Sequence, residues 1–272
     1  MSQKLLDLQG ATALVTGASS GIGAVTAVTL ARAGVTVGLV ARRRDRLEAV
    51  LSACQEHAPA SRYWCADLAD PDTAAQLVVD AWETFGHLDV LINNAAIPMR
   101  RHLLRATTQE LDHTMRVNFH SPVRMAMTAI PLMLDHGSGV VVNVSSFGGR
   151  AGIPGETAYC ASKFALCGWT EAAALDLWRT AVRIRLIIPG AIDTEIWHVE
   201  GSDPPDYDGP LEPPQTVADG IVTAINSDRF EHYLPDMRDI AAFKTTDIDL
   251  YLEGAESMVT HTAAEPGPEP GE

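Results

Sequence analysis

Seven residues near the N-terminus, Gly17-Ala18-Ser19-Ser20-Gly21-Ile22-Gly23, constrain this chain more than any other stretch. They follow Ala11-Thr12-Ala13-Leu14-Val15-Thr16, a short apolar run rich in strand formers, and precede a helical stretch from Ala24 to Ala33. Strand, glycine turn and helix in that order aim backbone amides and a helix N-terminus at one place, a setting that suits a pyrophosphate. Gly17 allows the tight turn, Gly21 lets the main chain approach phosphate oxygens, and Gly23 lets the helix pack close on the strand. Ser19, Ser20 and Ile22 complete the turn. The spacing is G-x-x-x-G-x-G, not the commoner G-x-G-x-x-G.

The alternation that starts there continues. Strands are expected at Val35–Val40, Arg62–Cys65, Asp89–Ile92, Gly139–Val144, Val182–Ile188 and Phe230–Leu234. Helices are expected at Arg44–His57, Pro71–Phe85, Thr108–Val117, Ser121–His136, Thr157–Trp178 and Val217–Ile225. Apolar strands alternating with helices predict an α/β fold, a doubly wound parallel sheet of the Rossmann type covered on both faces. Ligands of such sheets bind beyond the carboxyl ends of the strands. Ser19, Arg42, Asp67, Asn93, Ser146 and Pro189 follow predicted strands and are expected to converge on that edge. The length of 272 residues suits one large domain, taken as 1–255. Asp236 to Glu253 reads as one or two extra helices. The Pro- and Gly-rich end, 256–272, is expected to be a disordered acidic tail.

Tyr159-Cys160-Ala161-Ser162-Lys163 carries the chemistry. Tyr159 and Lys163 are four apart, which on a helix puts both side chains on one face. A tyrosine hydroxyl loses its proton near pH 10, and an ammonium close by lowers that value. A hydroxyl tuned this way can exchange a proton with a substrate oxygen near neutral pH. Ser146, thirteen positions upstream, can hold the same oxygen. Cys160 lies about 100° further around the helix and is not expected to take part.

Thr16-Gly17-Ala18-Ser19-Ser20-Gly21-Ile22-Gly23, Asn93-Asn94-Ala95, Asn118, Ser146, Tyr159, Lys163 and Pro189-Gly190 occur in one order at workable spacings. Over roughly residues 8 to 235 the chain resembles the short-chain dehydrogenases/reductases. The resemblance implies a catalytic set of Asn118, Ser146, Tyr159 and Lys163. Tyr159 is the acid/base, Ser146 rather than Ser145 polarises the carbonyl, and Asn118 holds a water in the proton relay. Lys163 lowers the tyrosine pKa and binds the nicotinamide ribose. It further implies Asp67 and Leu68 against adenine, and Asn94, Ala95 and Ala96 beside its ribose. Pro189, Gly190, Ile192 and Thr194 fall at the nicotinamide carboxamide. Asn93 is read as structural. The irregular segment 194–214 falls where the family has a mobile substrate lid. The family's pairing of the helices at Ser121–His136 and Thr157–Trp178 implies a homo-dimer or homo-tetramer. Two departures stand out. Ala96 replaces a usual glycine, with strain expected if that position needs positive φ, and Ile188 replaces a frequent asparagine.

Cofactor choice is read from the end of the second strand, Ala41-Arg42-Arg43-Arg44. NAD-preferring folds place an acid there for the ribose 2′-hydroxyl. Here Ala41 stands in its place, and Arg42 and Arg43 follow, so NADP(H) is expected over NAD(H). Of the net charge of −15, most falls on residues 201–272, which hold 16 of the 35 acidic residues and three of the 20 basic ones. That argues against nucleic acid as a partner. No apolar run reaches the roughly 18 residues of a membrane span, and no secretory leader is evident, so a cytoplasmic protein is expected. Four cysteines and nine histidines show no metal-binding pattern, and no metal is expected. The reading is an NADP(H)-dependent oxidoreductase that interconverts a carbonyl with an alcohol. Two alternatives remain at this stage. One is a catalytically silent dinucleotide-binding sensor or scaffold. The other is an acyl-carrier-linked 3-ketoacyl reductase, with Arg100, Arg101 and Arg105 meeting an acidic carrier.

Overall fold

The computed structural model describes residues 5–255, so the expected tail at 256–272 lies outside the described residues. The strands are β1 (Thr12–Thr16), β2 (Thr36–Ala41), β3 (Arg62–Cys65), β4 (Val90–Asn93), β5 (Gly139–Val144), β6 (Val182–Pro189) and β7 (Glu231–Leu234). The helices are α1 (Gly21–Arg32), α2 (Arg44–Gln55), α3 (Pro71–Phe85), α4 (Thr108–Met115), α5 (Ser121–His136), α6 (Thr157–Asp176), α7 (Pro214–Ile225), α8 (Arg238–Thr246) and α9 (Ile248–Ala255). The sheet runs β3-β2-β1-β4-β5-β6-β7 with every pair parallel.

Parallel strands need crossovers, and the crossover helices cover both faces. That is why the central strands β1, β4, β5 and β6 are buried along their whole length. One core layer joins Ala13, Val15, Val37 and Leu39 to Ala27, Leu30, Val217 and Ile221 of α1 and α7. The other joins Leu14, Val40, Leu91 and Val141 to Leu77, Val78, Met125 and Met133 of α3 and α5. The strand order reverses between β1 and β4, and the crevice at their carboxyl ends is where an open α/β sheet binds its ligand.

A buried polar chain locks the middle of the sheet. Asn93 Nδ2 donates to Asn143 Oδ1 at 2.9 Å and to the Pro122 carbonyl at 3.1 Å, and Asn143 Nδ2 donates to Thr170 Oγ1 at 2.9 Å. It ties β4 to β5 and β5 to α6, so the structural role read for Asn93 has a concrete form.

Two boundaries differ from the sequence reading for physical reasons. Helix α1 starts at Gly21 rather than Ala24, because the turn glycines are themselves its first residues. The two helices expected at Thr108–Val117 and Ser121–His136 are joined without a break. A π-helical turn at Arg116–His120 carries α4 into α5. One extra residue in a helical turn shifts the hydrophobic phase by about 100°, so the pattern reads as two helices with a gap between them.

Replacing Asn143 with Ala strands buried partners on β4 and α6. Unfolding in urea is expected to show a loss of about 2–4 kcal/mol. An unchanged midpoint and slope would show that the polar chain contributes nothing to the sheet.

Candidate active site

The glycine turn is shaped by what lies behind it. Gly17 has φ +67°, and a Cβ there would sit 2.9 Å from Ala95 Cα and from Asn94 Nδ2. A Cβ on Gly23 would sit 2.4 Å from the Gly17 carbonyl oxygen. Gly21, at φ +53°, faces Thr194, whose Cγ2 would be 3.0 Å from an added Cβ. The turn is braced from β4: Asn94 Nδ2 donates to the Thr16 carbonyl at 2.9 Å, and the amides of Asn94 and Ala95 donate to Thr16 Oγ1. Asn94 therefore builds the cradle with its side chain and fronts the cleft with its neighbours Ala95 and Ala96. Ala96 has no positive φ, so the strain expected of a methyl there does not arise. Leu68 packs its side chain into the core, and its carbonyl accepts the Ser121 hydroxyl at 2.5 Å. Asp67 caps its own turn by accepting the Ala69 amide at 2.9 Å. Ile188 is core as well, packed with Cys167 and Leu186.

Tyr159 and Lys163 stand on the first turns of α6, under the end of β5. Ser146 follows β5 in extended conformation and accepts the Gly148 amide at 3.1 Å. Ser145 has a different job: its hydroxyl donates to the Lys163 carbonyl at 3.2 Å. Gly149 lets this loop press on α6, because a Cβ there would be 2.6 Å from Ser145 Oγ and 2.8 Å from the Lys163 carbonyl. Lys163 is 1% exposed, and its Nζ donates to the Val144 carbonyl at 3.0 Å and lies 5.8 Å from the Tyr159 ring centre. Asn118 sits on the π turn. Its Oδ1 accepts the Ile97 amide at 2.9 Å, and its Nδ2 donates to the Ile97 carbonyl and to Ser162 Oγ. That side chain is fully engaged, so a water in this region falls to the main chain of the turn.

Burial decides the protonation of both groups on α6. It drives the Lys163 ammonium from 10.5 down to about 8. It pushes the Tyr159 phenol well above its ordinary value, against the opposing hydrogen bond from Ser146. This corrects the expectation that Lys163 lowers the phenol: the ammonium is turned onto a carbonyl and its own charge is weakened. Tyr159 therefore keeps its proton at neutral pH and is set up as a donor.

The segment 194–214 closes over this edge and is strapped down by arginines. Arg100 is buried; it donates to the carbonyls of Asp203, Ile196 and Trp197 and lies 5.9 Å from the Trp197 ring centre. Arg101 and Arg105 both pair with Asp203, and Arg101 also pairs with Glu110. All three arginines bond to the chain itself, Arg105 while staying partly exposed. Arg42 is exposed and among the described residues makes no side-chain hydrogen bond, whereas Arg43 donates to Ser19 Oγ at 3.1 Å, Ser20 Oγ at 2.8 Å and Glu195 at 2.8 Å.

The sequence profile of the short chain dehydrogenases matches residues 11–204. The chain belongs to that family. It is 37% identical over 188 residues to an uncharacterised oxidoreductase of Mycobacterium tuberculosis, covering 69% of this chain and 71% of that one. It is 35% identical over 185 residues to a 3-oxoacyl-[acyl-carrier-protein] reductase of Staphylococcus aureus, covering 68% and 75%. A short-chain dehydrogenase/reductase of Burkholderia phymatum solved in complex with NAD superposes with a TM-score of 0.82 at 23% identity, covering 90% and 96%.

As a short-chain dehydrogenase the protein is an oxidoreductase that uses a nicotinamide cofactor on small molecules. Its glycine turn fits that group, because three positions where a Cβ would collide leave main chain open at a helix N-terminus. Three residues near the site were missed from sequence. Glu156 stands at the N-terminal boundary of α6 without a capping side-chain bond, and burial pushes its carboxyl up. Met237 lies against Gly190, where a Cβ would be 2.9 Å from its Cε. Glu195 is the third. None lies in a motif: Glu156 and Glu195 are brought here by their chain neighbours Tyr159 and Thr194, and Met237 by the fold. Among the described residues no helix is long and apolar enough to cross a membrane, and no group of three His, Cys, Asp or Glu is placed to hold a metal.

The buried ammonium has a stability signature. Between about 8 and 10.5 the unfolded chain binds a proton at Lys163 that the folded chain does not, so stability rises with pH across that window. Urea unfolding at both ends of the window is expected to show wild type gaining on Lys163→Met as pH rises. A difference that stays constant would contradict the buried, weakened ammonium.

Proposed function

We propose that this short-chain dehydrogenase interconverts a ketone or aldehyde with an alcohol, using NADP(H) in preference to NAD(H). The observation that carries the reading is a buried Tyr159 one helical turn from the buried Lys163 on α6, packed against the Ser146–Gly149 turn at the carboxyl edge of the sheet. The bound nicotinamide supplies or accepts the hydride. In the reducing direction Tyr159 gives its proton to the carbonyl oxygen, and the Ser146 hydroxyl holds that oxygen in place. Lys163 would hold the nicotinamide ribose. Asn118 ties the π turn to Ile97 in the loop after β4, and the main-chain carbonyl of that turn would serve a relay water. Ser19, Ser20, Gly21, Ile22 and Gly23 hold the pyrophosphate, with Asp67, Leu68, Ala95 and Ala96 along the adenosine half. Pro189, Gly190, Ile192 and Thr194 hold the carboxamide end, and residues 194–214 act as the lid.

The preference for NADP(H) is supported by the missing acid at Ala41 and by Arg43, whose guanidinium is held at the glycine turn by two serine hydroxyls. Likeness to an oxoacyl reductase supports a carbonyl substrate, while the engaged Arg100, Arg101 and Arg105 weigh against a carrier-bound one. The intact Ser146, Tyr159 and Lys163 weigh against a silent scaffold. The same reading places the protein in the cytoplasm, in keeping with its four free cysteines. It also makes it a homo-oligomer: Met125, Met133 and Leu166 face the chain's own sheet, but Met127, Leu175 and Trp178 are exposed on α5 and at the end of α6.

A carbonyl panel assayed for NADPH oxidation tests the activity. Tyr159→Phe is expected to lose at least about 10²-fold in kcat on any substrate found, with cofactor affinity retained. A variant that keeps more than about a tenth of the wild-type rate would remove Tyr159 from the role. Arg43→Ala is expected to lower kcat/KM with NADPH by about 10- to 100-fold and to leave NADH nearly unaffected. Equal losses with both cofactors would contradict the assignment.

A further inference from the structure

Glu195 occupies the guanidinium that the proposed cofactor needs. It is the first residue of a short helical turn, Glu195–His198, that opens the lid. Its carboxylate is shared by two arginines, Arg43 through Nη1 and Arg46 through Nη1. The other amino group of Arg43 reaches back to Ser19 and Ser20 on the glycine turn. One guanidinium thus bridges the phosphate-binding turn and the lid. Arg43 and Arg46 hold the Glu195 carboxyl down at about 2, so it is an anion at any working pH. Its neighbour Thr194 presses on Gly21, which fixes where the carboxylate can sit.

An isolated exposed ion pair is worth little. This one is a bidentate bridge among groups already anchored, and its position matters more than its strength. A ribose 2′-phosphate held by Arg43 would bring two negative charges beside a carboxylate on the same cation. A ribose 2′-hydroxyl brings none and can donate to that carboxylate.

We propose that Glu195 is a specificity-determining residue that competes with the cofactor 2′-phosphate for Arg43 and thereby couples cofactor choice to release of the lid. The proposal rests on the reading of Arg43 as the 2′-phosphate ligand. Arg43 draws NADP(H) in, and Glu195 tempers that preference. Linkage is reciprocal, so whatever the 2′-phosphate loses by displacing Glu195 appears as loosening of the turn that Glu195 anchors.

The test is equilibrium binding of NADPH and of NADH to the wild type, Glu195→Gln, Glu195→Ala and Arg43→Ala, read by protein fluorescence and by calorimetry. Both Glu195 variants are expected to bind NADPH about threefold or more tightly than the wild type, with NADH tighter by no more than about twofold, or weaker. Hydrogen exchange gives a second readout: amides of 195–203 are expected to exchange faster in the wild-type NADPH complex than in the NADH complex, and this difference is expected to vanish in Glu195→Gln. If Arg43→Ala binds NADPH as well as the wild type, the underlying reading falls and takes the proposal with it. If Arg43→Ala loses NADPH affinity while the Glu195 variants leave the NADPH-to-NADH ratio unchanged or lowered, the reading stands and the role of Glu195 is overturned.

Discussion

The fold of this short-chain dehydrogenase depends on how closely α1 can approach β1 and β4. The gap at Gly23 is so narrow that a single methyl would overlap the Gly17 carbonyl and the Asn94 amide. That contact brings a helix N-terminus to the end of β1 with its amides free. The Asn94 and Thr16 hydrogen bonds then hold β4 against the same turn. From there the parallel order of the sheet carries Ser146 and Pro189 to one edge, and α6 supplies Tyr159 and Lys163 beneath them. Any larger residue at Gly17 or Gly23 would move the turn, and the remaining groups would lose their common reference point.

The site sets chemistry against stability. A folded chain gains nothing from a lysine that is 1% exposed with one carbonyl for company. The same burial pushes the Tyr159 phenol up and keeps it neutral. Gly149 and Ser145 clamp the main chain of Lys163, so the ammonium cannot relieve its position by moving α6 outward. Local rules broken at such a place are commonly the mark of function.

Most of the architecture was legible because strands buried on both faces are largely apolar. The runs at Val140–Val142 and Leu186–Ile188 read as strands on that ground, although Arg183 and Arg185 are buried on β6 as well. The glycine turn stood out through its three glycines, and Ser146, Tyr159 and Lys163 through their spacing and the family resemblance. The π turn was not legible, since one inserted residue shifts the hydrophobic phase much as a break between two helices would. Tyr159's raised pKa was not either: spacing shows that a lysine is near, but only the packed structure shows that burial outweighs it. Arg43 and Glu195 stand 152 positions apart, and no local pattern announces a pair brought together by the crossover of a whole sheet. Arg100 read as a surface cation for the same reason, although it is buried and gives its Nε and Nη2 hydrogens to main-chain carbonyls.

The central claim is that hydride passes between a nicotinamide and a carbonyl carbon while Tyr159 supplies the proton to oxygen. Its most direct test is to run the reduction with NADPH deuterated at both hydrogens of C4, in ordinary water. The account predicts an alcohol that carries one deuterium on the carbinol carbon. An alcohol with only protium at that carbon would contradict it.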